Sequence, residues 1–186
     1  MIDLGGCSDG ELAGLALGGR QTAYGELMRR HREAIFRLAR SHTGDDDAAL
    51  EVVQQTFISA FAALWSYDPQ RPFRTWISRI AINKSRDLAR RRMVRRALAF
   101  ALPLEDARQV ADGRVLADTA LADRDELERT MAAIATLPTK LKEVLLLRTI
   151  EGLSQSETSD VLNVSEKAVE TRLYRARMKL QEILRA

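Results

Sequence analysis

The chain is poor in the residues that build covalent or catalytic sites. Its one cysteine, Cys7, among 186 residues excludes an intrachain disulfide and suits a reducing compartment. No apolar run approaches the ~18 residues of a membrane span. The N-terminal stretch MIDLGGCSDG lacks the basic start and apolar core of a signal peptide. A soluble cytoplasmic protein with no membrane insertion is therefore expected. Only two histidines occur, His31 and His42, and neither has cysteines or paired carboxylates at ligand spacing. Both read as structural, so no metal is expected. There is no glycine-rich phosphate loop and no serine nucleophile elbow, so neither a cofactor nor an enzymatic activity is expected. The acidic run Asp45-Asp46-Asp47 points in divergent directions and suits the start of a helix better than a cation site.

What is present is helix. Apolar residues make up 46% of the chain, enough for a packed core. No segment alternates as a strand does, and almost every segment has helical periodicity, so the fold class is all-α. Helices are expected over residues 11–17, 21–42, 46–66, 73–97, 123–136, 138–151, 154–162 and 166–185. In the second of these, Tyr24, Leu27, Met28, Ile35, Leu38 and Ala39 share the core face; in the third, Leu50, Val53, Phe57, Phe61 and Leu64 do. Pro69 and Pro72 place a loop between the third and fourth. Pro138 opens a helix as its first residue and Gly152 closes it. Residues 98–122, interrupted by Pro103 and Gly113, lose the periodicity and read as a flexible linker between two small helical domains.

Net charge is only +3, but the charges are segregated. Residues 71–96 hold ten Arg and Lys against Asp87 alone, a local balance of +9, whereas residues 97–130 balance at −4. A polyanion-binding surface beside an acidic connector fits that pattern. At 100° per residue, Arg79, Asn83, Arg86 and Arg90 fall in one stripe of the 73–97 helix, beside a core face of Phe73, Trp76, Ile77, Ile80, Lys84 and Leu88. The arginines suit a phosphate backbone and Asn83 offers a donor and an acceptor to a base edge. Phe73 and Trp76 are stacking candidates for unpaired bases, although a tryptophan there also reads as core. The 46–66 helix carries Asp46, Asp47, Glu51, Gln54, Gln55 and Ser59 with no basic partner. Such a face avoids phosphate; it suits a basic protein partner or is an ordinary wet face.

Residues 154–177, SQSETSDVLNVSEKAVETRLYRAR, form a helix-turn-helix pattern. Ser154 with Glu157 makes a capping box, Asn163 suits a left-handed helix exit, and Ser165 suits an N-cap. Val169, Leu173, Ala176 and Leu180 form the buried stripe, leaving Lys167, Glu170, Thr171, Tyr174, Arg175 and Met178 outward. The pattern alone also fits a plain amphipathic helix in a bundle.

Taken together, these motifs resemble the extracytoplasmic-function (ECF, group 4) sigma factors of the sigma-70 family, from about Ala23 to Leu184 with the linker unmatched. Tyr24 to His31 resembles the family's opening helix, DDAALEVVQQTFISAFAAL its polymerase-docking segment, and PFRTWISRIAINKSRDLARRR its promoter-melting and −10-reading helix. LPTKLKEVLLLRTIEGLSQSETSDVLNVSEKAVETRLYRARMKL resembles its −35-reading domain. The resemblance implies an alternative sigma factor that binds core RNA polymerase (the β′ clamp helices and the β flap) and promoter DNA, with an anti-sigma factor as regulator. It implies sigma domain 2 over residues 1–97, a linker over 98–122 that threads towards the polymerase channel, and sigma domain 4 over 123–186. Asp47, Glu51, Gln54 and Gln55 match the polymerase-docking positions; Arg74, Trp76, Arg79, Asn83, Arg86 and Arg90 match the −10 helix; Ser165, Lys167, Glu170, Thr171, Arg172, Tyr174 and Arg175 match the −35 helix.

Two positions depart from the family's pattern. Gln55 stands where many members have glutamate, and Glu170 where many have a basic residue. An acid facing DNA repels phosphate and can accept from a cytosine amino group, so promoter preference is expected to differ. The main competing reading is a stand-alone helix-turn-helix regulator, which would bind specific duplex without polymerase; the docking-type face at 47–55 has no use in that reading.

Overall fold

The computed structural model describes residues 3–101 and 121–185. Among these the protein is eight α-helices with no strand: α1 (Asp9–Leu17), α2 (Gln21–Thr43), α3 (Asp46–Ala62), α4 (Phe73–Ala101), α5 (Leu121–Thr136), α6 (Thr139–Thr149), α7 (Gln155–Leu162) and α8 (Glu166–Arg185). The expected helices are all present, with shifts at their ends. The third stops at Ala62 and a short 3-10 turn over Leu64–Ser66 replaces its last residues. Pro138 is the N-cap of α6 rather than its first residue, because its φ of −52° and ψ of 134° are extended on the far side. α4 runs to Ala101 and α5 starts at Leu121, so the expected 98–122 linker is helical at both ends; its residues 102–120 lie outside the described residues.

Local chemistry explains the boundaries. Ser8 and Glu11 form a capping box at the start of α1: Ser8 N–H donates to Glu11 Oε2 at 2.6 Å and Glu11 N–H to Ser8 Oγ at 3.3 Å. Gly44 ends α2 at φ 72°, a left-handed conformation in which a side chain is strained. Asp45 then caps α3, its carboxylate accepting from Asp47 N–H at 3.1 Å. The acidic run is therefore accounted for as a cap, with Asp45 also taking Arg92 at 2.7 Å and Asp46 taking Arg40.

α1 to α4 pack around Leu12, Leu27, Ile35, Leu38, Phe57, Leu64, Phe73, Ile77 and Ile82. Two expected core residues are not there: Met28 is 38% and Leu50 47% exposed. Ala48, Ala49, Val52, Val53, Thr56, Phe57 and Ala60 fill the inward side of α3 and turn Leu50 to solvent. The loop before α4 is held by an aromatic knot. Tyr67 stacks edge-on to Phe73 at 5.1 Å, Trp76 lies within 5.4 Å of both rings, and the Tyr67 hydroxyl donates to Arg71 O at 2.7 Å.

α6 shows why the two halves meet. Six consecutive residues, Lys142 to Leu147, are buried. A helix covered on every side cannot belong to the surface of a single small bundle. α8 and α7 pack against it, and so does α2, from the other half of the chain. One continuous core therefore runs from Leu12 through Phe73 to Leu146 and Ala176.

Acidification is expected to loosen this fold. Hydrogen bonds from Arg29 and Arg30 hold the Glu26 carboxyl down at about 2, against an ordinary 4.5. A carboxyl depressed by folding stabilises the native state above its unfolded value, and that contribution is lost as pH falls towards the folded value. The thermal midpoint should fall between roughly pH 5 and roughly pH 3, and fall less in Glu26→Gln; equal pH slopes in the two proteins would refute the assignment.

Candidate nucleic-acid and polymerase interfaces

α8 presents its expected face. Ser165 Oγ accepts from Ala168 N–H at 3.2 Å, so Ser165 caps the helix. Asn163, at φ 52° and ψ 55°, makes the left-handed exit from α7 into the turn, and the Ser154–Glu157 capping box starts α7. Val169 and Ala176 are buried, with Leu173 and Leu180 packed against the core. Lys167, Glu170, Tyr174 and Arg175 are exposed, while Thr171 and Arg172 are half-buried at the edge. Lys167 Nζ donates to Glu170 at 3.0 Å, so the acid that departs from the family pattern is paired on its own helix. Gln155 donates to Glu166 O at 3.2 Å and fixes the angle between the two helices of the motif.

On α3, Asp47, Glu51 and Gln54 are exposed and Gln55 is half-buried. Leu50 and Ile58, 47% and 55% exposed, lie on this same face, one turn either side of Gln54. Helical periodicity places Leu50 in the core and gives no sign of an exposed Ile58. The signal available was the surplus of apolar residues on α3, more than one inward stripe can bury. The face is thus acidic with an apolar centre, the composition of a protein-binding surface.

The six expected −10 residues of α4 do not form one open patch. Arg74, Arg79, Asn83 and Arg90 are exposed and Arg86 is half-buried. Trp76 belongs to the aromatic knot and is half-buried, so its ring is committed to packing. Arg74, Arg79 and Arg86 all reach the C-terminal half. Arg86 grips Glu143 with two hydrogen bonds, Nε to Oε1 and Nη2 to Oε2, both at 2.6 Å. Its Nη1 also donates to Asn83 Oδ1 at 3.3 Å. Arg79 donates to the backbone carbonyl of Asp160, and Arg74 Nε to Glu151 Oε2 at 3.3 Å. Thr75 Oγ1 lies 3.2 Å from Glu157 Oε1. A groove of about 410 Å³ remains along this seam, lined by Tyr67, Trp76 and Arg79 on one side and Glu157 and Asp160 on the other.

The electrostatics follow the pairing. Burial pushes the Glu143 carboxyl up, but the Arg86 hydrogen bonds and His42, 3.7 Å away, outweigh it and leave the group below its ordinary value. Burial wins at Glu151, whose carboxyl is raised; Arg74 offsets only part of the penalty, and Oε1 has no hydrogen-bond partner. Lys142 is lowered by burial, with its amine donating to His42 O at 3.2 Å. Both histidines are structural, as expected: His31 pairs with Asp9 at 2.7 Å and His42 is 5% exposed.

A helix-turn-helix and a basic helix agree with the comparisons with known proteins. The Sigma-70 region 2 family profile matches residues 27–95, and the Sigma-70 region 4 profile residues 127–180. The chain is 43% identical over 182 residues to RNA polymerase sigma factor CnrH of Cupriavidus metallidurans, covering 96% of this chain and 95% of that protein. It is 30% identical over 172 residues to ECF RNA polymerase sigma factor SigW of Bacillus subtilis, covering 90% and 91%. The solved structure of CnrH in complex with the cytosolic domain of CnrY superposes with a TM-score of 0.70 at 39% identity, covering 95% of this chain and 96% of that one. The chain belongs to the sigma-70 family, in its ECF group, and is an RNA polymerase sigma factor that directs promoter-specific transcription initiation. No helix among the described residues is long and apolar enough to cross a membrane.

Proposed function

We propose that this sigma factor docks on the β′ clamp helices of core polymerase through Asp47, Glu51, Gln54 and Gln55 of α3. Arg74, Arg79, Asn83, Arg86 and Arg90 of α4 hold and read the melted −10 region, with Trp76 supporting the helix from the aromatic knot. Ser165, Lys167, Glu170, Thr171, Arg172, Tyr174 and Arg175 of α8 face the −35 duplex, and domain 4 rests on the β flap. Residues 1–97 and 123–186 act as sigma domains 2 and 4, a division supported by the ranges the two family profiles match. The protein works in the cytoplasm and contributes binding rather than catalysis. An anti-sigma factor holds it inactive, a reading supported by the CnrH structure, which contains the cytosolic domain of CnrY.

The observation that carries this reading is the exposed acidic face of α3 with Leu50 and Ile58 at its centre, a surface that DNA binding alone does not require. Run-off transcription with core polymerase on a promoter library tests it: protein-dependent transcripts sharing a −10/−35 pair are expected. A protein that shifts specific duplex alone but neither binds core nor initiates with it would be a stand-alone regulator. Charge reversal should separate the surfaces. Glu51→Arg should weaken binding to core by about ten-fold, while Glu33→Arg, an exposed acid on α2, leaves it unchanged. Equal loss in both variants would remove α3 from the docking role.

A further inference from the structure

We propose that the cavity where α2, α4 and α6 meet is a binding site for a small phosphorylated metabolite, held by Lys142, Arg92, Arg96 and the start of α6. It lies apart from the helix-turn-helix and from the arginines assigned to the −10 region.

The cavity measures about 320 Å³, inside the range of small-molecule sites, about 300–1,000 Å³. Its described lining residues include three cationic side chains, Arg92, Arg96 and Lys142, and no carboxylate. The groove along the other edge of the seam differs, since Glu157 and Asp160 line it beside its arginines. Lys142 is 8% exposed, and burial lowers its amine. Its two described acceptors are backbone carbonyls, that of His42 at 3.2 Å and that of Ala135. The carboxylate whose charge reaches it, Glu143, is held by Arg86 through two hydrogen bonds. An ammonium has three donors, so one remains for a ligand. A buried charge without a counterion is costly, and an anion in the cavity relieves that cost.

Further features point to an oxyanion. Pro138, the N-cap of α6, has no side chain that can accept, and the amides of Thr139 and Lys140 have no acceptor among the described residues. These amides carry the positive end of the helix dipole, and Thr139 lines the cavity. Arg92 uses Nη2 on Asp45 at 2.7 Å, and Arg96 is exposed with no partner among the described residues. Both can fork onto a phosphate. His42, 5% exposed, also lines the cavity, with no hydrogen bond to its Nε2. Leu88, Ala89 and Met93 give the wall an apolar strip for the organic part of the ligand. The depth of Lys142 favours a small ligand over a nucleic acid, because a duplex is too wide to carry its phosphates into a cavity of this size.

Isothermal titration calorimetry of the full-length chain with inorganic pyrophosphate, at fixed ionic strength, tests the site. The wild type should bind with a dissociation constant below about 1 mM, and no binding at that level overturns the proposal. Arg96→Ser and Lys142→Met should each weaken binding about ten-fold, the size of one charged hydrogen bond. Arg95→Ser, a neighbour on α4 outside the cavity, should stay within about two-fold of wild type. Equal weakening by Arg95→Ser and Arg96→Ser means that charge alone draws the anion to α4, and the proposal falls. On the wild type alone, the Thr139 and Lys140 amide resonances should shift as pyrophosphate is added, and those of α8 should not. Binding without movement at Thr139 and Lys140 overturns the proposal even if Lys142→Met fails to fold. A short DNA duplex at equal phosphate concentration should leave these two amides in place. If the duplex shifts them as pyrophosphate does, the cavity belongs to a DNA surface and the small-ligand proposal is refuted.

Discussion

Replacing Asn83 by Ala should lower run-off transcription about 10- to 100-fold while leaving affinity for core polymerase unchanged. A side-chain amide that donates and accepts on one base edge discriminates by about 1–3 kcal/mol, which is the range of that loss. Asn83 is suited to this because it is exposed, lies in line with Arg79, Arg86 and Arg90, and is oriented by Arg86 Nη1 at 3.3 Å. Core affinity is expected to be unchanged because the proposed docking residues lie on α3 and Asn83 on α4. Arg90→Ala makes the contrast: a phosphate contact carries no sequence information, so its loss should weaken all promoters alike and flatten the salt dependence. Transcription from the Asn83→Ala protein within about two-fold of wild type would remove Asn83 from the reading surface.

The second large effect is on folding. Leu146→Ala should cost about 2–5 kcal/mol, read as a drop in the urea midpoint, because the site is fully buried and cannot collapse. Leu146 is 0% exposed, on a helix against which α2, α7 and α8 all pack. Leu127→Ala, at a position 60% exposed on α5, should change stability by less than about 0.5 kcal/mol. If Leu146→Ala costs as little as Leu127→Ala, α6 is not enclosed in solution and the two halves do not share a core. The two variants therefore measure the seam through stability.

The local signals were those most completely legible in the chain. The capping box at Ser154, the left-handed exit at Asn163, the N-cap at Ser165 and the acidic start of α3 depend on residues within four positions of each other, and each forms as its residue types dictate. The exposed face of α8 was legible for the same reason: one amphipathic helix carries both its buried and its exposed stripe. Less legible was α3, where an excess of apolar residues leaves the choice of inward stripe to its neighbours. Alanines pack closely against α2 and α4, and Leu50 is turned outward as a result. The run Lys142 to Leu147 is equally illegible: Lys142 and Glu143 read as solvent-facing, yet all six residues are buried.

By itself the sequence determined an all-α chain, the helix order, the −35-type helix-turn-helix and a basic helix with Asn83 in its stripe, because helical periodicity and capping are short-range. Tertiary structure alone decided which arginines of that stripe are free. Arg79 and Arg86 meet Asp160 and Glu143 across 81 and 57 residues of chain. No periodicity spans such separations; the packing of α6 on α2 and of α7 on α4 brings those partners together.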